Sequence, residues 1–213
     1  MARYQAVARI RGRGPQGRFS ASLLVAFERP DRLRVELLGP LGGSRWIAVV
    51  TGGEITVLFP SRREFLQERA VPEVLAALVG VRWGADEIMA VLSGAGLPLD
   101  PSIPIAAAFH EGNTVRVGFA DERFLRLKGD ELIEAKARGY RVRYPSAWRS
   151  KGKAAPDRIE LESEDVSAAL AILDLDVNVR LQAEVFELSI AQGTTRVELA
   201  EIGGEAFFVK SQR

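Results

Sequence analysis

The single histidine, His110, is the first place to look for catalysis, because a Ser-His-Asp relay needs an imidazole held between a nucleophile and a carboxylate. It follows the apolar run Ile105 to Phe109 and precedes the turn Glu111-Gly112-Asn113. At such a hairpin end it reads as a structural or solvated residue. Glu160, Glu162, Glu164 and Asp165 crowd together, as do Asp174 and Asp176; paired carboxylates can move protons or bind calcium. At i, i+2 spacing on a strand they share one face, and with the intervening apolar residues turned inward that face is the solvated one. There is no cysteine, which excludes disulfides, thiolate metal sites and thiol nucleophiles. The glycine cluster Gly39 to Gly43 has no following helix with Lys and Ser/Thr, so it is not a phosphate loop. No catalytic residue, metal ligand or cofactor is assigned.

Charge is the next source of function. The 29 basic and 28 acidic side chains leave a net charge of +1, so partners have to be argued from local features. Arg9, Arg11, Arg13, Arg18, Arg32, Arg34 and Arg45 concentrate positive charge in the first forty-five residues. A nucleic-acid platform would interleave them with exposed aromatics, but Tyr4, Phe19 and Phe27 fall on the apolar face instead, so nucleic acid is not expected as a partner. Contact with lipid headgroups is the functional reading of these arginines, beside that of an ordinary solvated face. No run of ~18 apolar residues occurs to span a membrane as a helix. The chain enters a strand pattern directly after Met1, Ala2 and Arg3, without the charged and apolar regions of a secretion signal.

The elements behind these residues are mostly strands. Tyr4, Ala6, Ala8 and Ile10 alternate with Gln5, Arg9 and Arg11; Phe19, Ala21, Leu23, Val25 and Phe27 alternate with Ser20, Ser22 and Glu28. The same two-residue period marks Leu33 to Leu37, Arg45 to Val50 and Glu54 to Phe59, joined by Gly- and Pro-bearing turns that favour antiparallel neighbours. After Pro60 the texture changes. Val71, Val74, Leu75 and Leu78 fall at i, i+3, i+4, i+7, and Ile88, Met89, Val91 and Leu92 follow, with Gly94 and Gly96 as a stop: two short helices. Leu97 to Pro104, with its three prolines, is a connection. Strands return at Ile105–Phe109, Thr114–Phe119, Arg123–Leu127, Glu131–Ala137 and Tyr140–Tyr144, followed by a basic loop from Pro145 to Pro156 and alternation at Ile159, Leu161, Leu175, Val177, Val179 and Leu181. The expected fold class is mainly β (α+β): about ten antiparallel strands in one domain, residues 1–213.

A long sheet with one apolar face and only two short helices to cover it has to fill that face or leave a hollow. A curved, unclosed barrel with a short helical lid would enclose an apolar cavity. Its lining is assigned to Phe27, Val35, Leu37, Trp46, Val57, Phe59, Leu75, Leu78, Ile88 and Leu92. At ~0.8 kcal/mol per buried methylene, a sixteen-carbon chain in such a cavity would approach ~10 kcal/mol before ordering costs.

From Ala8 to Pro98 the order of elements also resembles a known family. A Gly-bounded first strand is followed by a second ending in Phe27, then a strand running into Gly39-Pro40-Leu41-Gly42, a hairpin, a helix ending in Gly80, and a second helix ending in Leu92-Ser93-Gly94-Ala95-Gly96-Leu97-Pro98. This resembles the LolA/LolB outer-membrane lipoprotein-localisation proteins, most closely a divergent LolB-like one. The resemblance implies an unclosed β-barrel carrier without catalysis or cofactor, in the periplasm or at the outer membrane. Such a carrier would accept acyl chains of lipoproteins, meet an outer or inner membrane surface, and exchange cargo with a periplasmic carrier protein. It also implies that Leu41 projects from its loop to insert into a membrane. Members carry an N-terminal signal and a lipid-bearing cysteine, so both are expected to have preceded Arg3. The same fold would serve a glycolipid or polyisoprenoid, and a filled interior would instead make it a non-binding β-sheet scaffold.

Overall fold

The computed structural model describes residues 1–15, 17–39, 42–79, 81–98, 100, 102–145 and 155–202. Residues 3–69 form a meander of six strands: β1 (Arg3–Gly14), β2 (Gly17–Glu28), β3 (Arg32–Leu38), β4 (Ser44–Thr51), β5 (Glu54–Phe59) and β6 (Glu64–Arg69). Two helices follow, α1 (Pro72–Val79) and α2 (Ala85–Leu92). A second meander contains β7 (Ile105–Glu111), β8 (Thr114–Phe119), β9 (Phe124–Lys128), β10 (Glu131–Ala137), β11 (Tyr140–Arg143), β12 (Arg158–Ser163) and β13 (Ser167–Val177). The last strand is β14 (Thr195–Arg196).

All fourteen lie in one curved sheet of order β14-β6-β5-β4-β3-β2-β1-β13-β12-β11-β10-β9-β8-β7, which does not close on itself. The two meanders meet along β1 and β13, antiparallel from Tyr4 opposite Val177 to Arg13 opposite Ser167. On its other side β1 pairs with β2 over its whole length, from Arg3 opposite Glu28 to Gly14 opposite Gly17. Alternation then decides the faces. Tyr4, Ala6 and Ala8 of β1, Phe19, Leu23, Val25 and Phe27 of β2, Leu33, Val35 and Leu37 of β3 and Ile55, Val57 and Phe59 of β5 are all buried in one core on the concave side. The helices complete that core with Val74, Leu75 and Leu78 of α1 and Ile88, Met89, Val91 and Leu92 of α2. Fourteen strands stand where about ten were expected, chiefly because β6 and β14 carry no alternating apolar signal. In β6 only Leu66 is buried among charged and polar neighbours.

The expected continuation of the last strand through Val179 and Leu181 is not observed. Asn178 takes a left-handed backbone (φ 56°) and ends β13, its N–H donating to the Arg3 carbonyl. The chain then crosses the convex face as a strap. A 3-10 turn at Ala183–Phe186 seats Phe186 against Ala26 and Val49, β14 lies parallel on β6, and Val197, Leu199 and Ile202 pack into the main core. One edge of the sheet is thereby covered, as open edges invite unwanted pairing. On the convex side of the second meander Glu134, 7% exposed, accepts from Arg126 at 2.8 Å and pairs with Arg141 at 3.1 Å, tying β9, β10 and β11 together.

The seam itself leaves no room at Gly12. A Cβ there would lie 2.4 Å from the Ser167 carbonyl oxygen and 2.6 Å from the Phe19 ring. Gly12→Ala is therefore expected to cost about 1–3 kcal/mol of overpacking strain, read as a lower denaturation midpoint; an unchanged midpoint would show that the seam yields freely.

Candidate functional site

The candidate site is the concave face beneath the two helices. Pro72 sits at the first helical position of α1, where its missing N–H costs nothing. In α2 the Gly84 N–H donates to Glu87 Oε2 at 2.7 Å, capping the helix start. Gly94 and Gly96 then stop it with φ of 77° each. Helical spacing places Leu75 and Leu78 on one stripe of α1 and aims them, with Ile88 of α2, at β3 and β4.

Between these elements lies a cavity of about 10 Å³, lined by Leu33, Val35, Trp46, Ala48, Val50, Leu75, Leu78 and Ile88. Val35, Trp46, Leu75, Leu78 and Ile88 are among the residues assigned to the lining from sequence. The other assigned residues, Phe27, Leu37, Val57, Phe59 and Leu92, are buried in the same core but do not border this space. Leu33, Ala48 and Val50 border it and were missed, although Leu33 and Val50 share the alternation that singled out their neighbours. Small-molecule sites run to roughly 300–1,000 Å³, so this space is too small to be one.

The two helices are held differently. Tyr144 Oη donates to the Val91 carbonyl at 3.0 Å, Tyr140 Oη to Glu87 Oε1 at 3.4 Å, and Arg29 to Ser93 Oγ at 3.3 Å. Gly96 is pressed against Leu132 and Ala135 of β10, where a Cβ would come within 2.5 Å. The two tyrosines and Gly96 fix α2 to the second meander, and Arg29 ties the end of α2 to the β2–β3 turn. For α1, among the described residues, no polar contact reaches the sheet; Glu73 pairs with Arg82 in the connection to α2. Its hold is the burial of Val74, Leu75 and Leu78.

A few polar atoms interrupt the apolar interior. The Tyr4 hydroxyl and the Trp83 indole N–H are buried and have no hydrogen-bond partner among the described residues. Tyr4 stacks on Phe27 with centroids 4.9 Å apart, and Trp83 meets Tyr140 edge-on at 5.2 Å. Burial pushes the Tyr4, Tyr140 and Tyr144 hydroxyls well above their ordinary range. Burial likewise raises Glu87, opposed by the Gly84 N–H. Sequence reasoning overlooked Trp83, Tyr140 and Tyr144. Their signal was aromatic residues with a polar tip beside helix and strand ends.

The remaining sequence candidates lie elsewhere. His110 is exposed on β7, at the sheet edge. Glu160 and Glu162 point outward while Ile159 and Leu161 are buried, and they pair with Arg158 and Arg143. Asp174 and Asp176 flank buried Leu175 and face a convex cleft of about 510 Å³, opposite the helices, whose floor includes Val7, Leu24 and Ala26. Among the described residues no group of three or more His, Asp or Glu side chains is placed to hold a metal ion. Leu41 and Pro40 lie outside the described residues, as does the basic loop at 151–153.

No protein-family model and no curated protein matches this chain. Solved structures do. A LolA superfamily protein from Nitrosomonas europaea aligns over 88% of this chain and 90% of its own at 12% identity, with a TM-score of 0.56. The fold is LolA/LolB-like. A DUF1329 family protein from Desulfovibrio piger aligns over 87% of this chain and 89% of its own at 11% identity and TM-score 0.59. A Vibrio parahaemolyticus domain described as an outer membrane lipoprotein-sorting protein covers the same shares at 8% identity and TM-score 0.55. At these identities the likeness is one of fold. In this LolA/LolB-like barrel the open sheet and short helical lid are common ground, and the lining has to be argued from the residues above.

One consequence of the lid contacts is a pH dependence. The folded state holds Glu87 with a raised affinity for its proton, so this side chain is more protonated in the fold than in the unfolded chain. Its contribution to stability is then lost as pH rises from the ordinary carboxylate range through the folded value. Glu87→Gln, which keeps an oxygen for the Gly84 N–H, is expected to be more stable than the parent at pH 7 and equal to it below pH about 4. Urea unfolding at both pH values checks this; a variant less stable at pH 7 would contradict it.

Proposed function

We propose that this protein is a non-catalytic carrier or receptor of the bacterial cell envelope, which takes acyl chains of lipoproteins under α1 for localisation to the outer membrane. The observation that carries the reading is the unequal hold on the lid: α2 is fastened to β10 and β11 by hydrogen bonds and close packing, while α1 rests on apolar contact alone. Magnitudes favour exchange. Exposing Val74, Leu75 and Leu78 costs about 2 kcal/mol each, roughly 6 in all, whereas a sixteen-carbon chain returns up to ~10 kcal/mol on burial. Cargo can therefore replace the helix on Val35, Trp46, Ala48 and Val50 with a modest surplus, as a carrier that must release its load requires. The Trp83 N–H and Tyr4 hydroxyl are free to bind the polar end of an acyl group.

In this reading residues 1–213 act as one domain, a view supported by the unbroken sheet. The protein works in the periplasm, lipid-anchored at the outer membrane, and it receives cargo from a periplasmic carrier protein. Leu41, outside the described residues, is proposed to enter the membrane from its loop. A carrier of another envelope lipid, glycolipid or polyisoprenoid, would use the same space. The 10 Å³ void favours one rival, a scaffold whose interior is simply filled.

Native mass spectrometry of the purified protein, with organic extraction of anything bound, separates these. Acyl lipid or lipopeptide at near one-to-one stoichiometry is expected for the carrier, a prenyl or glycolipid for the alternative. An empty protein that also refuses a fluorescent fatty acid would support the scaffold. Ile88→Asp is expected to abolish acyl binding, and Ala48→Trp, which fills the space without adding charge, to weaken it at least tenfold. Unchanged binding in folded variants would remove these residues from the lining.

A further inference from the structure

In an antiparallel meander, alternate turns fall at the same end of the sheet. Here the β1–β2 turn, the β3–β4 connection and the β5–β6 turn share one end, as the pairing of Gly14 with Gly17, Leu38 with Ser44 and Phe59 with Glu64 shows. These segments and their approaches carry Arg9, Arg11, Arg13, Arg18, Arg45, Arg62 and Arg63, all exposed. Of these only Arg62 forms an ion pair among the described residues, with Glu64. The other clustered arginines of the first forty-five residues are spent: Arg32 pairs with Glu28 and Arg34 with Glu36. Six unpaired arginines therefore line one rim.

Their directly paired neighbours are neutral. Arg9 and Arg11 stand between Ser22 and Ser20 of β2 on one side and Ala171 and Ala169 of β13 on the other. Successive arginines on β1 are roughly 7 Å apart, so they repel one another with no counter-charge between them. Of the carboxylates without an ion pair among the described residues, Asp174 stands opposite Val7, one diagonal step from Arg9, and Glu164 and Asp165 lie in the β12–β13 turn, beyond Ser167, which faces Arg13. At the opposite end of the meander acids stand among the bases: Arg3 and Arg32 share Glu28, and Asp31 and Glu54 lie at the turns. The aromatic residues nearest the basic rim, Phe19, Trp46 and Phe59, are buried on the concave side, so the rim offers no stacking platform for nucleic acid.

We propose that this rim docks on a bilayer surface bearing anionic phosphate headgroups. Arginine forks match phosphate oxygens in pairs, and arginines spread over three connections at one end of the sheet present them to an extended surface rather than to a pocket. The near-neutral total charge conceals the patch, because acids elsewhere balance it. The inference rests on the carrier reading only for the presence of a membrane, and it adds which part of the molecule meets it.

The test is co-sedimentation of the full chain with vesicles of phosphatidylcholine alone or with about one third phosphatidylglycerol. Binding is expected only to the anionic vesicles, and is expected to be lost near 0.5 M salt, where the screening length falls to a few ångströms. Arg11→Gln/Arg13→Gln/Arg18→Gln/Arg63→Gln should weaken it more than a hundredfold, at about fivefold per arginine. Arg69→Gln/Lys128→Gln/Arg180→Gln, at the far end, should leave it intact. Equal binding to both vesicle types, or a rim variant that binds like the parent, would falsify the docking surface. So would a parent that ignores vesicles but self-associates at low salt through the same arginines. Acyl uptake by the rim variant is expected to be intact, so a failure of vesicle binding leaves the cavity reading standing.

Discussion

Everything on the concave side depends on β1 being paired on both edges. Its partner β2 is the next strand in the chain, but β13 comes from near its other end, and without that pairing the two meanders would be separate sheets with half a core each. On the β1 side the join is built from small residues, Ala6, Ala8 and Gly12 facing Leu175, Ile172 and Ala168, so little bulk stands on the concave side of β1 and the sheet can curve there. A continuous curved sheet then presents one apolar concavity, and the two helices have a single place to go.

That concavity is more than two short helices can cover by themselves, and the protein divides the work. Helix α2 is bolted down through Tyr140, Tyr144 and Gly96 to the second meander, while α1 closes the first meander by apolar contact. The result is an interior that is shut yet held shut by a few kcal/mol of burial on one side. This is what a fold needs if the same surface is to be covered by its own helix when empty and by cargo when loaded. Polar groups are kept few inside, and those present sit on the fastened side or at the floor.

The two ends and two faces of the sheet are unlike. The strap after β13 covers the convex face over β2 and β4 and shields the β6 edge, whereas among the described residues nothing covers β7, where Ile105 and Phe109 are more than half exposed. Unpaired arginines gather at one end of the first meander, and carboxylates face the cleft beneath the strap. A chain with a net charge of +1 is in this way strongly polarised once folded.

How much of this was legible beforehand follows from the range of each interaction. Strand alternation is local, so the first five strands, both helices and the burial of Val35, Trp46, Leu75, Leu78 and Ile88 around one small space could be read from neighbouring side chains. Strand β6 could not, because its pairing with β5 comes from the tertiary context and only Leu66 enters the core. The run Ala168 to Leu173, rich in Ala and Leu, carries no strand alternation, and its pairing with β1 and β12 overrides its helix propensity. The strap was read as a strand because Val177, Val179 and Leu181 alternate, yet Asn178 turns the chain away. Seven arginines were conspicuous early in the chain, but which of them stay unpaired, and that Arg63 joins them, depends on which turns the meander brings to one end. Sequence by itself determined the period of the elements and the apolar face they share. Tertiary structure alone decided that β1 meets β13, that the cavity is closed to about 10 Å³, and which charges find partners, because those outcomes depend on residues far apart in the chain.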